Sequence, residues 1–309
     1  VAFAILLLAA TPSLPAQSAS LSSLLDSIAA NYFDRIVLSP GSFTYEESEI
    51  AGPFSTYLHQ LLRREVTSHD DYEFFDFDGP AHMDPETAAA FQGVFSDEDM
   101  EAIAWGRYYD EGSEVRVWLE VFNLLTHSPI GSGEFSIPKR EVDPRFALLP
   151  ESWETALEAN RELREALSVK SESDFRVFAT LDKGTNAVYR VDEELEILVY
   201  ANKDAYIKLY HTDARGRRSL IFPNQFHPDN RVRGGELLRI PGDGYPFRFI
   251  VEPPYGVEHI LVAASPAQFE VNEGAFRTLE GNDVISRGIR LEEAGASHDE
   301  VLMTMTVAR

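Results

Sequence analysis

Cysteine is absent from the 309 residues. That excludes disulfides, thiolate metal sites, cysteine nucleophiles and the acylated cysteine of a bacterial lipoprotein. Basic residues are scarce: 27 Lys and Arg stand against 51 Asp and Glu, for a net charge of −24. Such a chain repels phosphates, so no nucleic-acid surface is expected. Long apolar runs are lacking as well. Residues 1–10, VAFAILLLAA, fall well short of the ~20 apolar residues of a spanning helix, and no other segment comes nearer. The chain also lacks a G-x-S-x-G elbow, a Walker loop, H-E-x-x-H and the dinucleotide G-x-G-x-x-G, so the commonest catalytic and cofactor signatures are missing. There is no internal repeat, heptad pattern or low-complexity tract.

What is present supports folded domains. Hydrophobic residues make up 44% and aromatics 11% of the chain, enough apolar material for real cores. Its length suits two domains better than one. The apolar residues 1–10 run into Leu14-Pro15-Ala16 and Gln17-Ser18-Ala19, small residues at a plausible cleavage point. Residues 1–19 therefore read as a secretory signal peptide, although no basic region precedes the apolar run; the alternative is a buried apolar strand or helix. Export without cysteine fits a bacterial periplasm or exterior. The acids are unevenly spread: residues 20–167 carry a net −19 and residues 168–309 only −5. That asymmetry supports a division into two domains.

Periodicity orders the first half. Ser20 is a candidate N-cap for a helix bearing Leu21, Leu24, Leu25, Ile28 and Ala29. Arg35–Ser39 reads as a short strand. Phe54, Tyr57, Leu58, Leu61 and Leu62 mark an amphipathic helix. Tyr72–Phe77 reads as a strand, and Asp84-Pro85 and Ser96 open two further helices. The period then changes to two. AIAWGRYY, EVRVWLEVFNLL and GEFSIP form three strands, the first pair joined at Asp110–Ser113. Val115, Val117, Leu119 and Val121 line one face of the middle strand. This predicts a mixed sheet with helices on one side over residues 20–149.

Residues 150–167 read as a helix connecting the halves. Residues 168–309 are β-rich: FRVFATL, LEILVYA, AYIKLYHT, RSLIF, ELLRIP, FRFIVEP and EHILVAA suggest a sandwich-like domain. Asp213–Gly216 reads as a hairpin turn, and prolines punctuate strand ends. The expected fold class is α+β: an N-terminal α/β domain, a helical connector and a C-terminal all-β domain.

Chemistry is harder to place. The acids Asp71, Glu73, Asp76 and Asp78 do not fit an EF-hand register, which would put Phe74 and Pro85 at ligand positions. Two His-x-Asp pairs, His211 with Asp213 and His227 with Asp229, could hold a metal or serve a hydrolase if their loops met. Both pairs lie at predicted turns, where Asp and His serve local hydrogen bonding. No catalytic, metal or cofactor residue is assigned.

One cluster stands out. Between Lys203 and Arg248 nine basic residues accompany five acids. They include Arg215, Arg217, Arg218, Arg231, Arg233 and Arg239. Together with Asn224 and Phe226 these arginines are the candidate interaction surface. The alternative is an ordinary solvated sheet face with internal ion pairs. A glycan-binding reading would draw on Trp118, Tyr206, Tyr210 and Phe226, provided these rings are exposed.

Residues 191–266 carry Ala205-Tyr206, Asp213–Gly216, Leu220–Asn224 (LIFPN), Asn230, Gly234–Glu236, Arg239–Pro241 (RIP) and Pro254–Glu258. This pattern resembles a bacterial domain of unknown function found in envelope and multidomain proteins. Ala205 replaces a frequent Gly of that family. The resemblance implies a β-sandwich-like fold and no catalytic residue. Residues 21–140, with Gly106 after the short helix and strand, resemble the amino-terminal domain of TolB and its relatives, including curli secretion lipoproteins. Thr126-His127 replaces their usual Thr-Gly, and the lipoprotein cysteine is missing. That resemblance implies an envelope scaffold or secretion part. The combined expectation is a non-enzymatic periplasmic module that contacts envelope proteins. The alternative partner is a cell-wall glycan or anionic polymer.

Overall fold

Ser20 opens the first helix: its hydroxyl accepts the Ser23 amide at 3.1 Å, satisfying one of the donors a helix start leaves unpaired. The computed structural model describes residues 20–30, 32–75, 85–91, 101–167, 174–184, 186–268 and 299–308. The expected signal peptide, the helix expected at Ser96, the capping Asp84 and the acids Asp76 and Asp78 lie outside the described residues.

The first half contains α1 (Leu21–Ala29), β1 (Ile36–Tyr45), α2 (Pro53–Thr67), β2 (Tyr72–Phe74), α3 (Pro85–Phe91), β3 (Ala102–Glu111), β4 (Glu114–Asn123) and β5 (Ser128–Pro138). The five strands form one sheet in the order β2-β1-β3-β4-β5. Strand β1 runs parallel to both neighbours, whereas β3, β4 and β5 form an antiparallel meander. The sheet is therefore mixed, as its pattern predicts. Val115, Val117, Leu119 and Val121 share a core with the apolar stripes of α1 and α2. Gly106 is fixed by packing: a Cβ there would lie 2.1 Å from the Trp118 carbonyl oxygen. Strand β1 is longer than expected. A register shift between Pro40 and Phe43 lets it continue past the proline to Tyr45.

Helix α4 (Trp153–Leu167) follows. It packs on the second half and is tied to the loop after β1: Asn160 Nδ2 donates to the Ser48 carbonyl at 2.8 Å, Arg164 pairs with Glu49, and Trp153 packs with Ile50, Ala156 and Val257.

The second half contains β6 (Val177–Leu181), β7 (Ala187–Arg190), β8 (Glu194–Leu195), β9 (Ile197–Ala201), β10 (Ala205–Thr212), β11 (Arg218–Phe222), β12 (Arg231–Val232), β13 (Leu237–Ile240), β14 (Phe249–Ile250), β15 (Gly256–Ser265) and β16 (Asp299–Ala308). The larger sheet runs β11-β10-β15-β16-β7, with β12 pairing β10; the smaller runs β13-β9-β6, and β14 pairs β8. Ile207, Leu209, Ile260, Val262 and Met303 of the first meet Val177, Ala179, Ile197 and Val199 of the second in one core. Two packed sheets around one apolar layer give the sandwich-like arrangement the strand spacing suggested. Strands β7 and β16 were not anticipated. The short β7 has no neighbour near it in sequence; it pairs in parallel with β16.

The halves touch directly. Ile103 and Leu124 cluster with Ala88 of α3 and with Phe178, Tyr200 and Leu237 of the small sheet. Thr306 Oγ1 donates to the Ala51 carbonyl at 2.7 Å. Among the described residues no helix is long and apolar enough to cross a membrane.

Candidate functional site

Strand β11 ends at Phe222, because the following Pro223 can donate no ladder hydrogen bond. Asn224 then shapes the loop. Its Oδ1 accepts the amides of Phe226 and His227, both at 3.0 Å, and its Nδ2 donates to the Ile221 carbonyl at 3.0 Å. Asn230 returns the chain to β10 by donating to the Ile207 carbonyl at 2.8 Å. Asn224 thus organises the loop, and the side chain the loop turns outward is Phe226, 56% exposed.

Phe226 is one end of a row of rings. It stacks with Phe247 at 6.4 Å between centroids. Phe247 meets Tyr245 edge-on at 5.6 Å and Phe249 at 5.4 Å. Tyr245 lies at 4.2 Å on His227, which in turn stacks on the buried Phe222 at 5.8 Å. Burial, reinforced by Asp229, raises the Tyr245 pKa. The row therefore runs from the sandwich core to the surface. Tyr245, Phe247 and Phe249 escaped the sequence reading, although YPFRF spaces three aromatics two residues apart.

The arginines are mostly spent on internal pairs. Arg217 meets Asp213 at 2.7 Å, Arg231 meets Asp204 at 3.0 Å, Arg233 meets Glu236 at 3.8 Å and Arg239 meets Glu196 at 3.2 Å. Lys203 pairs with Asp174 and Arg248 with Glu194. Among the described residues Arg215 and Arg218 have no carboxylate partner. Arg218 sits at the sheet edge, its Nε 3.4 Å from Thr212 Oγ1. The residue as a whole is exposed, yet partial burial of its guanidinium lowers its pKa.

The His-x-Asp pairs do not meet as a metal site. His211 Nε2 lies 2.7 Å from Glu258 Oε2. Asp213 accepts the turn amides of Arg215 and Arg217, both at 2.9 Å. His227 belongs to the ring row, and Asp229 accepts the Arg231 amide at 3.1 Å. Among the described residues no three His, Asp or Glu side chains gather to hold an ion. The four rings of the glycan reading are dispersed in role. Tyr210 is buried, Trp118 is half-buried edge-on to Trp105 at 5.3 Å, Tyr206 is half-buried, and Phe226 alone of the four is exposed.

No curated protein sequence matches this chain. Among solved structures, the LpoB C-terminal domain from Salmonella enterica is similar with a TM-score of 0.27 and 8% identity, over 38% of this chain and 95% of that one. The LpoB C-terminal domain from Escherichia coli gives 0.24 and 9%, over 37% and 94%. TolB from Acinetobacter baumannii gives 0.25 and 8%, over 74% of this chain and 58% of that one. Residues 188–268, which hold both the ring row and the arginine cluster, match the family described as Domain of unknown function (DUF4384).

Proposed function

We propose that this chain is a non-catalytic interaction module of the bacterial envelope, and that its contact surface is the ring row at one end of the C-terminal sandwich. Phe226 carries the reading. A loop braced by four side-chain hydrogen bonds of Asn224 and Asn230 holds a phenylalanine out in solvent. An aromatic kept exposed by organised backbone, and backed by further rings, has the anatomy of a contact surface. Four of the cluster's six arginines, Arg217, Arg231, Arg233 and Arg239, are already paired with internal carboxylates. They supply a polar rim of little net charge, which suits an apolar protein surface better than a highly charged polymer. The apolar residues 1–10, the small residues behind them and the lack of cysteine support an exported setting.

Photo-cross-linking from position 226 in the producing bacterium, with exposed Glu141 as the control position, tests this. The expected outcome is capture of one or a few envelope proteins from position 226 alone. Phe226→Ser should abolish co-purification of the same proteins while leaving the thermal transition within about 1 kcal/mol of the parent. Equal capture from both positions, or none from either, would sink the proposal. In the second case, sedimentation with purified cell-wall glycan decides the alternative reading, in which sugar rings lie on Phe226 and Phe247.

A further inference from the structure

The α4-covered face of the larger sheet carries a polar row that crosses four strands. Arg218 stands opposite Thr212, Thr212 opposite His259, and His259 opposite Thr304. Directly paired residues point to the same face, so four adjacent strands contribute one continuous line. Beside it lie Tyr210, Leu261 and Leu302 on one side and, on the other, Val257 with its partner Thr306, whose hydroxyl is spent on the Ala51 carbonyl; Glu300, opposite Ala263, lies one row beyond Leu302 on the same face. His259 is 2% exposed, and its Nε2 has no hydrogen-bond partner among the described residues. Native folds rarely leave a buried ring nitrogen unpaired, and such an atom calls for a partner.

Three basic side chains bear on that ring. Arg164 of α4, Arg218 of β11 and His211 of β10 act on the imidazole. Two of these have carboxylates of their own, Glu49 for Arg164 and Glu258 for His211. Among the described residues Arg218 has none, and its side chain makes the long contact to Thr212. In a chain of net charge −24, a partly buried guanidinium with no carboxylate among the described residues, in one cross-strand row with an unpaired imidazole, leaves positive charge and donors uncompensated along that row. A guanidinium fork, a hydroxyl and a ring N–H lined up on one face are what a phosphate or carboxylate group accepts from.

We propose that Arg218, Thr212 and His259 form a binding site for an oxyanion, a phosphate or carboxylate group, which enters from the exposed Arg218 at the sheet edge. The neutral imidazole donates Nε2–H to the anion, the guanidinium supplies the opposite charge at the mouth, and Arg164 adds its field from α4. The site lies on strands β10, β11 and β15. It is independent of the ring row proposed above.

The test is a titration of the full chain, labelled at histidine nitrogen, with inorganic phosphate and separately with acetate at constant ionic strength. The expected result is a saturable shift of the His259 Nε2 signal with at least one anion, and a rise in the pH at which that ring protonates. Arg218→Gln should weaken the binding by about tenfold or more while the unbound spectrum keeps its native dispersion; Thr212→Val should weaken it less. Saturation by phosphate alone would point to a phosphorylated or free inorganic ligand. Saturation by acetate alone would point to a carboxylate on a peptide or wall polymer. No saturable shift with either anion would overturn the proposal, as would a shift that persists unchanged in Arg218→Gln. Cross-linking from position 226 should be unaffected by Arg218→Gln, so failure of one proposal leaves the other standing.

Discussion

At the scale of single residues, the two most consequential groups are imidazoles that the fold keeps uncharged. His59 is half-buried with its Nε2 2.6 Å from the Gly41 carbonyl, and desolvation of the ring lowers its pKa to about 4. His259 is lowered to about 4, by burial first and by Arg164, Arg218 and His211 after it. A histidine in the unfolded chain protonates near its ordinary value of 6.5. The unfolded state therefore binds more protons than the folded one between that value and about 4. Stability is greatest above pH 6.5 and is lost as pH falls through this window, by up to roughly 3 kcal/mol for each ring. Urea unfolding in an anion-poor buffer should show a clearly lower midpoint at pH 5 than at pH 7.5, and His59→Gln should reduce the difference. Equal midpoints at the two values would show that these rings protonate within the fold. Gly106 makes the complementary point about legibility: the sequence marked it through a resemblance, and the structure supplies its reason, a backbone contact that no side chain fits. Nothing in the text around His259 distinguishes it from other strand residues, because its isolation is made by α4 and three strands that the chain brings together from afar.

At the scale of elements, α4 is held by polar ties as well as by the packing of Trp153 and Ala156. Asn160 is buried, and its amide satisfies the Ser48 carbonyl. Asn160→Ala leaves that carbonyl unpaired and also removes the acceptor of the Arg164 Nε–H at 3.3 Å. The expected loss is about 1–3 kcal/mol, with amide exchange in residues 153–167 accelerated well beyond exchange in β4. Unchanged exchange in the helix would mean that Trp153 and Ala156 alone hold it. Period-two and period-3.6 patterns revealed most strands and helices, since apolar spacing is a local property. They did not reveal that β1 is parallel to its neighbours, that β16 completes the larger sheet, or that the basic cluster is internally paired. Each of those depends on which distant segment arrives alongside. The candidate surface was half legible: Phe226 and Asn224 stood out in the sequence, whereas the rings at 245, 247 and 249 become its partners only through the fold.

At the scale of the whole molecule, charge is the dominant asymmetry. Residues 20–167 bear a net −19, and among the described residues most ion pairs are exposed pairs of small individual worth. Self-repulsion among unpaired acids opposes folding and is screened by salt. Raising sodium chloride from ~0.05 to ~0.5 M should therefore raise the thermal midpoint by a few degrees. A fall would show that the ion pairs outweigh the repulsion.

The strand order of the larger sheet has a consequence in time. Among the described residues strand β7 joins that sheet through β16, and the Thr306 hydroxyl closes on the Ala51 carbonyl across 255 residues of chain. A ribosome releases the chain from its amino end, so β7 and the loop after β1 wait unpaired until residues 299–308 emerge. Contacts of such long separation form late and slowly. During that interval the apolar residues that will face β16 remain open to other chains. A protein built this way depends on being shielded while young, and export in an unfolded state would postpone the whole closure until the last strand has crossed.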